Sequence, residues 1–343
     1  MRKKTMSTFA LASVLTLTLA GCVADESETG GDEEAEGTSE SEAAISSVDE
    51  IVIALVPSND IDNIVESAEP LAEALSEALD GFPVRAEETQ DYLGAITAMQ
   101  TGDAQVVMSG PVGMIQAEEQ ADAVPITQSI RYGSDVYVTQ WFTNDPDTYC
   151  MDEPVDVPDE EGNSMLFCNG TDEAEPGAVG TEALEEIEEG TTVSYVDQGS
   201  ASGYYYPATQ LNDLLGFAPG EGDIDEQFAG SHDNSVLNVY NDNATIGTSF
   251  DDARENVVAE NPDVGEEVVV FAWAGPIPND GIVVSGDFTE EEQQVLTDAW
   301  LAVAEDEEGL AALDEVYEIE GMVEADQEAL DGARQVYNDF GDE

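Results

Sequence analysis

Positively charged side chains are almost absent from this chain. Its 343 residues include 78 Asp and Glu but only seven Lys and Arg, which gives a formal net charge of −71. Three of the seven stand at Arg2, Lys3 and Lys4, and no lysine follows them. Nucleic acids and anionic lipid surfaces bind basic patches, so both are excluded as partners. The acidity indicates adaptation to a salty exterior, because salt screens the repulsion between like charges and the Debye length falls to about 3 Å at 1 M. The alternative is that the acidity serves solubility alone.

Histidine and cysteine are also scarce. The chain has one histidine, His232, and three cysteines, so no cluster has the spacing of a metal site, and we expect neither a metal nor a cofactor. Cys150 and Cys168 enclose an acidic segment with Pro and Gly, typical of a surface insertion over residues 145–180. In an oxidising compartment these two cysteines predict a disulfide that stabilises the fold by about 3 kcal/mol.

The start of the chain is typical of an export signal. A basic beginning and a short apolar run predict a signal peptide over residues 1–21, too short to span a bilayer. The sequence Leu19-Ala20-Gly21-Cys22 is similar to a bacterial lipobox, in which the cysteine is lipidated. The alternative is a plain cleaved signal with an incidental cysteine. Residues 22–48 are acidic and contain little to bury, which predicts a disordered tether.

From residue 49 the chain alternates between buried-strand and helix patterns. Such β-α-β-α-β order predicts an α/β fold with a parallel sheet and a ligand at the carboxyl ends of its strands. Later in the chain, Thr289 and Glu292 form a capping box that opens another helix. No internal repeat is evident, and no membrane-spanning run follows the predicted signal peptide. The main predicted strands cover residues 51–56, 82–86, 104–108, 137–142, 192–196 and 267–273, with helices over 61–79 and 92–100.

One strand-to-helix junction has the composition of an anion site. It reads Asp197-Gln198-Gly199-Ser200-Ala201-Ser202-Gly203-Tyr204. Small residues leave backbone N–H groups and hydroxyls free to meet at a positive helix N-terminus. The alternative is a loop that merely needs tight turns. Because basic residues are so few, we expect neutral donors rather than a positively charged pocket to bind an oxyanion.

The sequence also bears on two other classes of function. A serine hydrolase is disfavoured, because the centre of the Gly-Ser-Ala-Ser-Gly junction is Ala201, which carries no nucleophile. Phosphate loops, HExxH motifs and Schiff-base lysines are missing as well. We therefore expect a protein that is not an enzyme. A receptor domain that binds another small anion and signals to a membrane partner stays an alternative.

Five motifs, taken together and in this order, resemble a known family. They are Asp91-Tyr92, Gly110-Pro111, Gly199-Ser200-Ala201-Ser202-Gly203-Tyr204, Gly230-Ser231-His232-Asp233 and Ile277-Pro278-Asn279-Asp280. The family is the PhnD-like solute-binding proteins of phosphonate, phosphite and phosphate ABC importers. The resemblance covers roughly residues 51–303.

The resemblance implies a two-lobed fold like that of type II periplasmic binding proteins, with two hinge crossovers. It places lobe one at residues 49–139 and 275–343, and lobe two at residues 140–274. The ligand would lie in the cleft between the lobes. Closure about the hinge strands would then enclose it.

The resemblance also implies a set of ligand-binding residues. Ala201 stands where the family usually has a threonine, and Ser109 where some members have a tyrosine. Asp252 lies near an acidic position that holds the amino group of aminoalkyl phosphonates, and Asp280 matches a cleft aspartate. The implied set is Tyr92, Ser109, Ser200, Ala201, Ser202, His232, Asp252 and Asp280.

The function implied is capture of a small phosphorus oxyanion outside the cytoplasm. The partners would be an ABC permease and its ATPase. A lipid on Cys22 would anchor the protein to the cell membrane. Whether the ligand is a phosphonate, phosphite, hypophosphite or phosphate is left open.

Overall fold

The structure is a computed structural model that describes residues 45–58, 64–159, 161–172 and 174–341. The predicted signal peptide, Cys22 and most of the predicted tether lie outside these residues. Residues 45–48 were predicted to belong to the tether but are part of the folded unit, because Ile45 is only 2 % exposed and joins the core. No described helix has the length and apolar character needed to cross a membrane.

Six strands form the first sheet, in the order β13-β4-β12-β3-β1-β2. β1 is parallel to β2 and β3, and β12 is antiparallel to β3 and β4. Every residue of β1 is buried, as expected for the continuous apolar run of a central parallel strand. The strands are β1 (Ile51–Leu55), β2 (Val84–Glu88), β3 (Val106–Ser109), β4 (Val124–Ile130), β12 (Gly281–Val284) and β13 (Gly321–Glu324). The helices that follow these strands are α1 (Ile64–Ala78), α2 (Tyr92–Thr101), α3 (Pro111–Ala121), α10 (Glu290–Glu305) and α11 (Glu307–Tyr317).

Seven strands form the second sheet, in the order β6-β7-β11-β5-β10-β8-β9. They are β5 (Val136–Thr143), β6 (Val155–Asp156), β7 (Leu166–Phe167), β8 (Thr192–Tyr195), β9 (Asp225–Phe228), β10 (Ile246–Phe250) and β11 (Val269–Pro278). A π-helical turn (Ala201–Tyr205) follows β8 and leads into α6 (Tyr206–Leu215). The other helices are α4 (Pro146–Tyr149), α5 (Thr181–Leu184), α7 (His232–Tyr240), α8 (Arg254–Val257), α9 (Val264–Glu267) and α12 (Gln327–Gly341).

The two sheets share one strand plan. The order β2-β1-β3-β12-β4 in the first sheet matches β9-β8-β10-β5-β11 in the second. In each sheet the chain enters the fourth strand of this series directly from the other sheet. This fourth strand is antiparallel to the third. The predicted α/β fold with two crossovers is thus what the structure shows.

The two crossovers run side by side between the sheets. One links β4 to β5 and the other links β11 to β12. The backbone N–H of Asn279 donates to the carbonyl oxygen of Asp135 at 2.9 Å. The Asn279 amide also donates to the carbonyl oxygens of Ser129 and Ser134, at 3.1 and 2.8 Å. One buried asparagine therefore ties both crossovers together.

The segment between the two late cysteines packs on the second sheet. Cys150 and Cys168 form the predicted disulfide, with their Cα atoms 5.6 Å apart. Cys168 is buried, and its backbone N–H donates to the carbonyl oxygen of Val270 on β11. The disulfide thus holds the insertion against the outer strands of this sheet.

Candidate functional site

A small cavity lies where the two sheets face each other. Its volume is about 30 Å³, and a single buried water molecule needs about 10–15 Å³ of such space. The cavity therefore suits a ligand of a few non-hydrogen atoms. Its polar wall consists of Ser58, Tyr92, Ser109, Arg131, Tyr137, Ser200, Ser202, His232, Asp280 and Tyr317.

Seven of the eight residues expected to bind ligand line this cavity. They are Tyr92, Ser109, Ser200, Ala201, Ser202, His232 and Asp280. Asp252 does not line it. The Asp252 carboxylate accepts hydrogen bonds from Arg254 instead, at 2.9 and 3.1 Å from Nε and 2.5 Å from Nη2. The position of Asp252 therefore gives no support to a role in holding a ligand's amino group.

The serine-rich junction is a π-helical turn capped by its own first serine. The Ser200 Oγ accepts a hydrogen bond from the backbone N–H of Gly203 at 3.1 Å. Its hydroxyl proton is then free to donate elsewhere, because a hydroxyl can accept and donate at once. A Cβ on Gly203 would lie 2.4 Å from the Cβ of Val196. Only glycine fits there, and the close packing fixes the turn beside the cavity.

Ser202 is positioned through its backbone. Its carbonyl oxygen accepts a hydrogen bond from the Thr139 hydroxyl at 2.9 Å, and its side chain is 2 % exposed. π-Helical turns are rare and frequently occur at functional sites. Here the turn places two serine side chains against one cavity with the intervening Ala201.

His232 is neutral and its tautomer is fixed by its neighbours. Its Nδ1 accepts from the backbone N–H of Phe250 at 3.3 Å and lies 2.9 Å from the hydroxyl of Ser249. Since a backbone N–H can only donate, the ring proton is on Nε2. Burial, and then the charge of Arg131, lower the His232 pKa to about 3. At neutral pH the donor that this ring offers to the cavity is therefore a neutral Nε2–H.

Tyr92 occupies the start of α2 on the opposite wall. Its neighbour Asp91 caps the helix by accepting from the backbone N–H of Gly94 at 2.7 Å. Burial raises the Tyr92 pKa, although hydrogen bonds from Ser58 and Ser200 oppose the rise. The phenol is therefore a neutral donor. It can supply a hydrogen bond without adding charge to the cavity.

Sequence reasoning missed the charged site residue Arg131, as well as Ser58, Tyr137 and Tyr317 of the polar wall. Arg131 lies at the start of the β4–β5 crossover, and its side chain is 11 % exposed. Its guanidinium is 2.8 Å from a carboxylate oxygen of Glu318 and 5.1 Å from the ring centroid of Phe250. Its buried Nε has no hydrogen-bond partner among the residues that the structure describes. The sequence led us to expect neutral donors rather than a positively charged pocket, yet one of the few arginines lies in the wall beside those donors.

Asp280 brings a carboxylate into the same cavity. Its Oδ2 is 3.8 Å from Nη1 of Arg131. Burial raises the Asp280 pKa, and Arg131 partly offsets the rise. Of the described residues, the cavity therefore holds one cation and one carboxylate that is easier to protonate than usual, together with several neutral donors.

Ser109 adds an unpaired hydroxyl from the end of β3. Its side chain is 3 % exposed, and its Oγ has no hydrogen-bond partner among the described residues. A Cβ on Gly113 would lie 2.1 Å from this oxygen, so the glycine leaves room for the hydroxyl. Arg131 Nε and Ser109 Oγ are two buried polar groups that a ligand oxygen could satisfy.

Comparisons with known proteins identify the family. The family model for the periplasmic phosphonate-binding protein of ABC transporters matches residues 53–330. The phosphate-import protein PhnD of Mycolicibacterium smegmatis is 24 % identical over 243 residues, which are 69 % of this chain and 66 % of that protein. The chain therefore matches slightly less than two thirds of the length of this curated relative.

Solved structures share the fold. A phosphonate transporter binding protein from Pseudomonas aeruginosa has a TM-score of 0.65 at 18 % identity and covers 85 % of this chain and 86 % of its own. A binding protein from Prochlorococcus marinus, in complex with methylphosphonate, has a TM-score of 0.67 at 16 % identity and covers 85 % of this chain and 98 % of its own. The chain belongs to the family of periplasmic substrate-binding proteins of phosphonate ABC transporters, which bind ligands and are not enzymes.

Proposed function

We propose that this protein captures a phosphonate, or a related phosphite or phosphate anion, in the cavity between its two sheets. The observation that carries the proposal is the composition of that cavity. One buried arginine and the hydroxyls of Tyr92, Ser109, Ser200 and Ser202 surround a space of about 30 Å³. Charge-assisted hydrogen bonds from such donors are stronger than neutral ones. The His232 Nε2–H adds one more neutral donor.

Asp280 restricts the form of the anion. A carboxylate beside an oxyanion is tolerated when one of the two carries a proton, or when the ligand brings a cationic group. The raised pKa of Asp280 makes the shared proton accessible. We infer that Asp280 and the oxyanion share one proton, or that the ligand carries an ammonium group.

Delivery of the ligand to a transporter would require partner proteins and closure of the two lobes. We infer that residues 49–139 and 275–343 act as one lobe and residues 140–274 as the other, hinged at the two crossovers. The closed form would dock on an ABC permease that a separate ATPase drives. Hinge closure about a ligand is the usual motion of periplasmic binding proteins.

The site of action is also a proposal. We propose that residues 1–21 direct export and that a lipid on Cys22 holds the protein at the outer face of the cell membrane. The support is the residue pattern Leu19-Ala20-Gly21-Cys22. Mass spectrometry of the membrane fraction tests it, since Cys22→Ser would release the protein unlipidated.

Titration calorimetry with a panel of anions tests the function. The panel contains phosphate, phosphite, hypophosphite, methylphosphonate and 2-aminoethylphosphonate, with sulfate as the control anion, in high salt. We expect tight binding of one phosphorus anion and none of sulfate. If no phosphorus anion binds, the proposed substrate class is wrong and only family membership stands.

Ser202→Ala is the variant that tests one hydroxyl of the anion site. Loss of one charge-assisted hydrogen bond should weaken binding by about 1.5–3 kcal/mol. Ser164→Ala is the control, because Ser164 lies in the insertion and bonds Asp156 instead. An unchanged dissociation constant in Ser202→Ala would remove that hydroxyl from the site.

A further inference from the structure

A second cavity, of about 290 Å³, lies against the second sheet. It shares no lining residue with the cavity between the sheets. Its wall joins β5, β11 and the disulfide-bonded insertion, through Gln140, Trp273 and Phe167. Nothing in the capture of an oxyanion uses this space.

The second cavity is negatively charged. Five carboxylates line it, from Asp159, Asp172, Asp251, Asp252 and Glu255. The fully buried Arg254 neutralises only Asp252, and its remaining N–H groups donate to the carbonyl oxygens of Leu166 and Val268. In the part of the chain that the structure describes, the other four carboxylates make no ion pair with an arginine.

Two of these carboxylates hold protons more readily than usual. Burial raises the Asp251 pKa to about 6. Burial and the charges of Asp252 and Asp159 raise the Glu255 pKa to about 7. A cation in the cavity would relieve this repulsion.

A buried side-chain amide in the second cavity has no hydrogen-bond partner in the described part of the chain. Gln140 is 2 % exposed and makes no side-chain hydrogen bond with any described residue. Its neighbours on β5, Thr139 and Trp141, point to the opposite face, where they donate to Ser202 and Gln210. Side chains alternate along a strand, so Gln140 points away from α6 and into the second cavity. Buried amides normally have hydrogen-bond partners, and this one has only the cavity to supply them.

We propose that the second cavity binds a small aliphatic primary ammonium ion. An ammonium group has three donors and no acceptor, which suits the Gln140 amide oxygen and the Glu255 carboxylate. The rings of Trp273 and Phe167 offer apolar surface to the alkyl chain. A bare metal ion fits less well, because no group of three or more ligating side chains among the described residues could hold one.

Calorimetry of the mature chain with n-butylammonium chloride tests the proposal. We expect saturable binding with one site, and a roughly tenfold larger dissociation constant in Glu255→Gln. Glu255 lines the cavity but keeps much of its surface exposed to solvent, so this variant should fold. Gln140→Met removes the amide at similar length and should weaken binding to a similar degree. Thermal unfolding and the unchanged binding of the phosphorus anion confirm that both variants keep the fold.

The matched control is Glu77→Gln, which removes the same charge from an exposed position on α1. If Glu77→Gln weakens binding as much as Glu255→Gln, the ammonium ion is attracted by overall charge and there is no site. If tetramethylammonium, which has no N–H donor, binds as tightly as butylammonium, the assignment to a primary ammonium ion is wrong. Loss of butylammonium binding in Glu255→Gln with intact anion binding supports the site.

Discussion

Among single residues, the ring of His232 is the most direct probe of how the site is buried. It is the only histidine, so its ring proton signals can be followed by NMR without overlap. Because burial lowers its pKa to about 3, we expect no titration between pH 8 and pH 5. A titration midpoint near the ordinary value of about 6.5 would show that the ring is solvated and that the site geometry is wrong.

The same low pKa affects stability. The unfolded chain takes up a proton below about pH 6.5, while the folded chain does so only near pH 3. The contribution of His232 is therefore present above pH 6.5 and is lost progressively as the pH falls toward 3. His232→Gln should show a smaller loss of stability over this range than the original chain.

Arg131 should contribute strongly to the affinity for the phosphorus anion. We expect Arg131→Gln to raise the dissociation constant for the phosphorus anion by at least about tenfold, since it removes the one cation of the cavity. Titration calorimetry measures the dissociation constant, with Arg85→Gln as the control. Arg85 pairs with Glu50 at the surface, 3.0 Å away, and does not line the cavity. Equal affinities in both variants would show that neutral donors suffice.

At the scale of an element, the start of α10 couples two distant parts of the chain. Glu292 completes the predicted capping box with Thr289. Its carboxylate also accepts from the backbone N–H groups of Ser46 and Ser47, at 2.7 and 2.9 Å. Burial opposes ionisation, but these hydrogen bonds lower the Glu292 pKa overall. One side chain thus caps a helix and fastens the beginning of the folded chain.

We expect Glu292→Gln to lose about 1.5–3 kcal/mol of stability at neutral pH, because it loses charge-assisted hydrogen bonds. A carboxylate with a lowered pKa stabilises the fold above its unfolded pKa of about 4.3 and loses this effect below it. The difference from the original chain should therefore shrink as the pH falls below about 4.3. Chemical unfolding at several pH values measures this.

Glu291→Gln is the control for that series, because Glu291 is exposed in the same first turn. If Glu291→Gln loses as much stability as Glu292→Gln, the effect is due to the helix dipole rather than to the hydrogen bonds of Glu292. A constant difference at all pH values would show that the charge of Glu292 is not involved.

Elements with strong local signals were predicted well. The helix over 92–100 is observed as Tyr92–Thr101, and the capping box of α10 is present. The strand predicted over 267–273 is β11 and continues to Pro278. Its continuation contains Gly275 and Pro276, which locally argue for a turn. Pairing with β5 overrides that preference, so the extension depends on tertiary structure.

At the scale of the whole molecule, capture should change the shape. The cavity lies between two sheets that only two short crossovers join directly, so ligand release requires the sheets to separate. We expect small-angle scattering to show a smaller radius of gyration with saturating phosphorus anion than without it. The same concentration of sulfate is the control. An unchanged radius would contradict closure on the ligand.

The C-terminal helix adds a further contact between the two halves. Arg334 of α12 pairs with Glu118 of α3, while Phe340 packs 4.5 Å from the ring centroid of Tyr205 in the π-helical turn. Gln116 of α3 also donates to the Tyr205 phenol at 3.2 Å. The turn that carries Ser200 and Ser202 is thus supported from the other side by residues far along the chain.

The sequence by itself determined the α/β class, the disulfide and most of the polar residues in the cavity wall. Apolar periodicity and glycine-serine junctions are local, and seven of the eight residues named from family motifs meet at one cavity. The shared strand plan of the two sheets was invisible in the residues, because it depends on which strands pair.

Tertiary structure alone decided the charge of the cavity. Arg131 follows a strand with no local motif, and only the crossover brings it beside Asp280. Asp252 was expected to bind ligand because it is acidic, yet in the folded chain its carboxylate forms an ion pair with Arg254. The protonation of His232 likewise depends on burial and on distant neighbours. Electrostatic roles are set by what surrounds a group in space, and neighbours in sequence do not determine that environment.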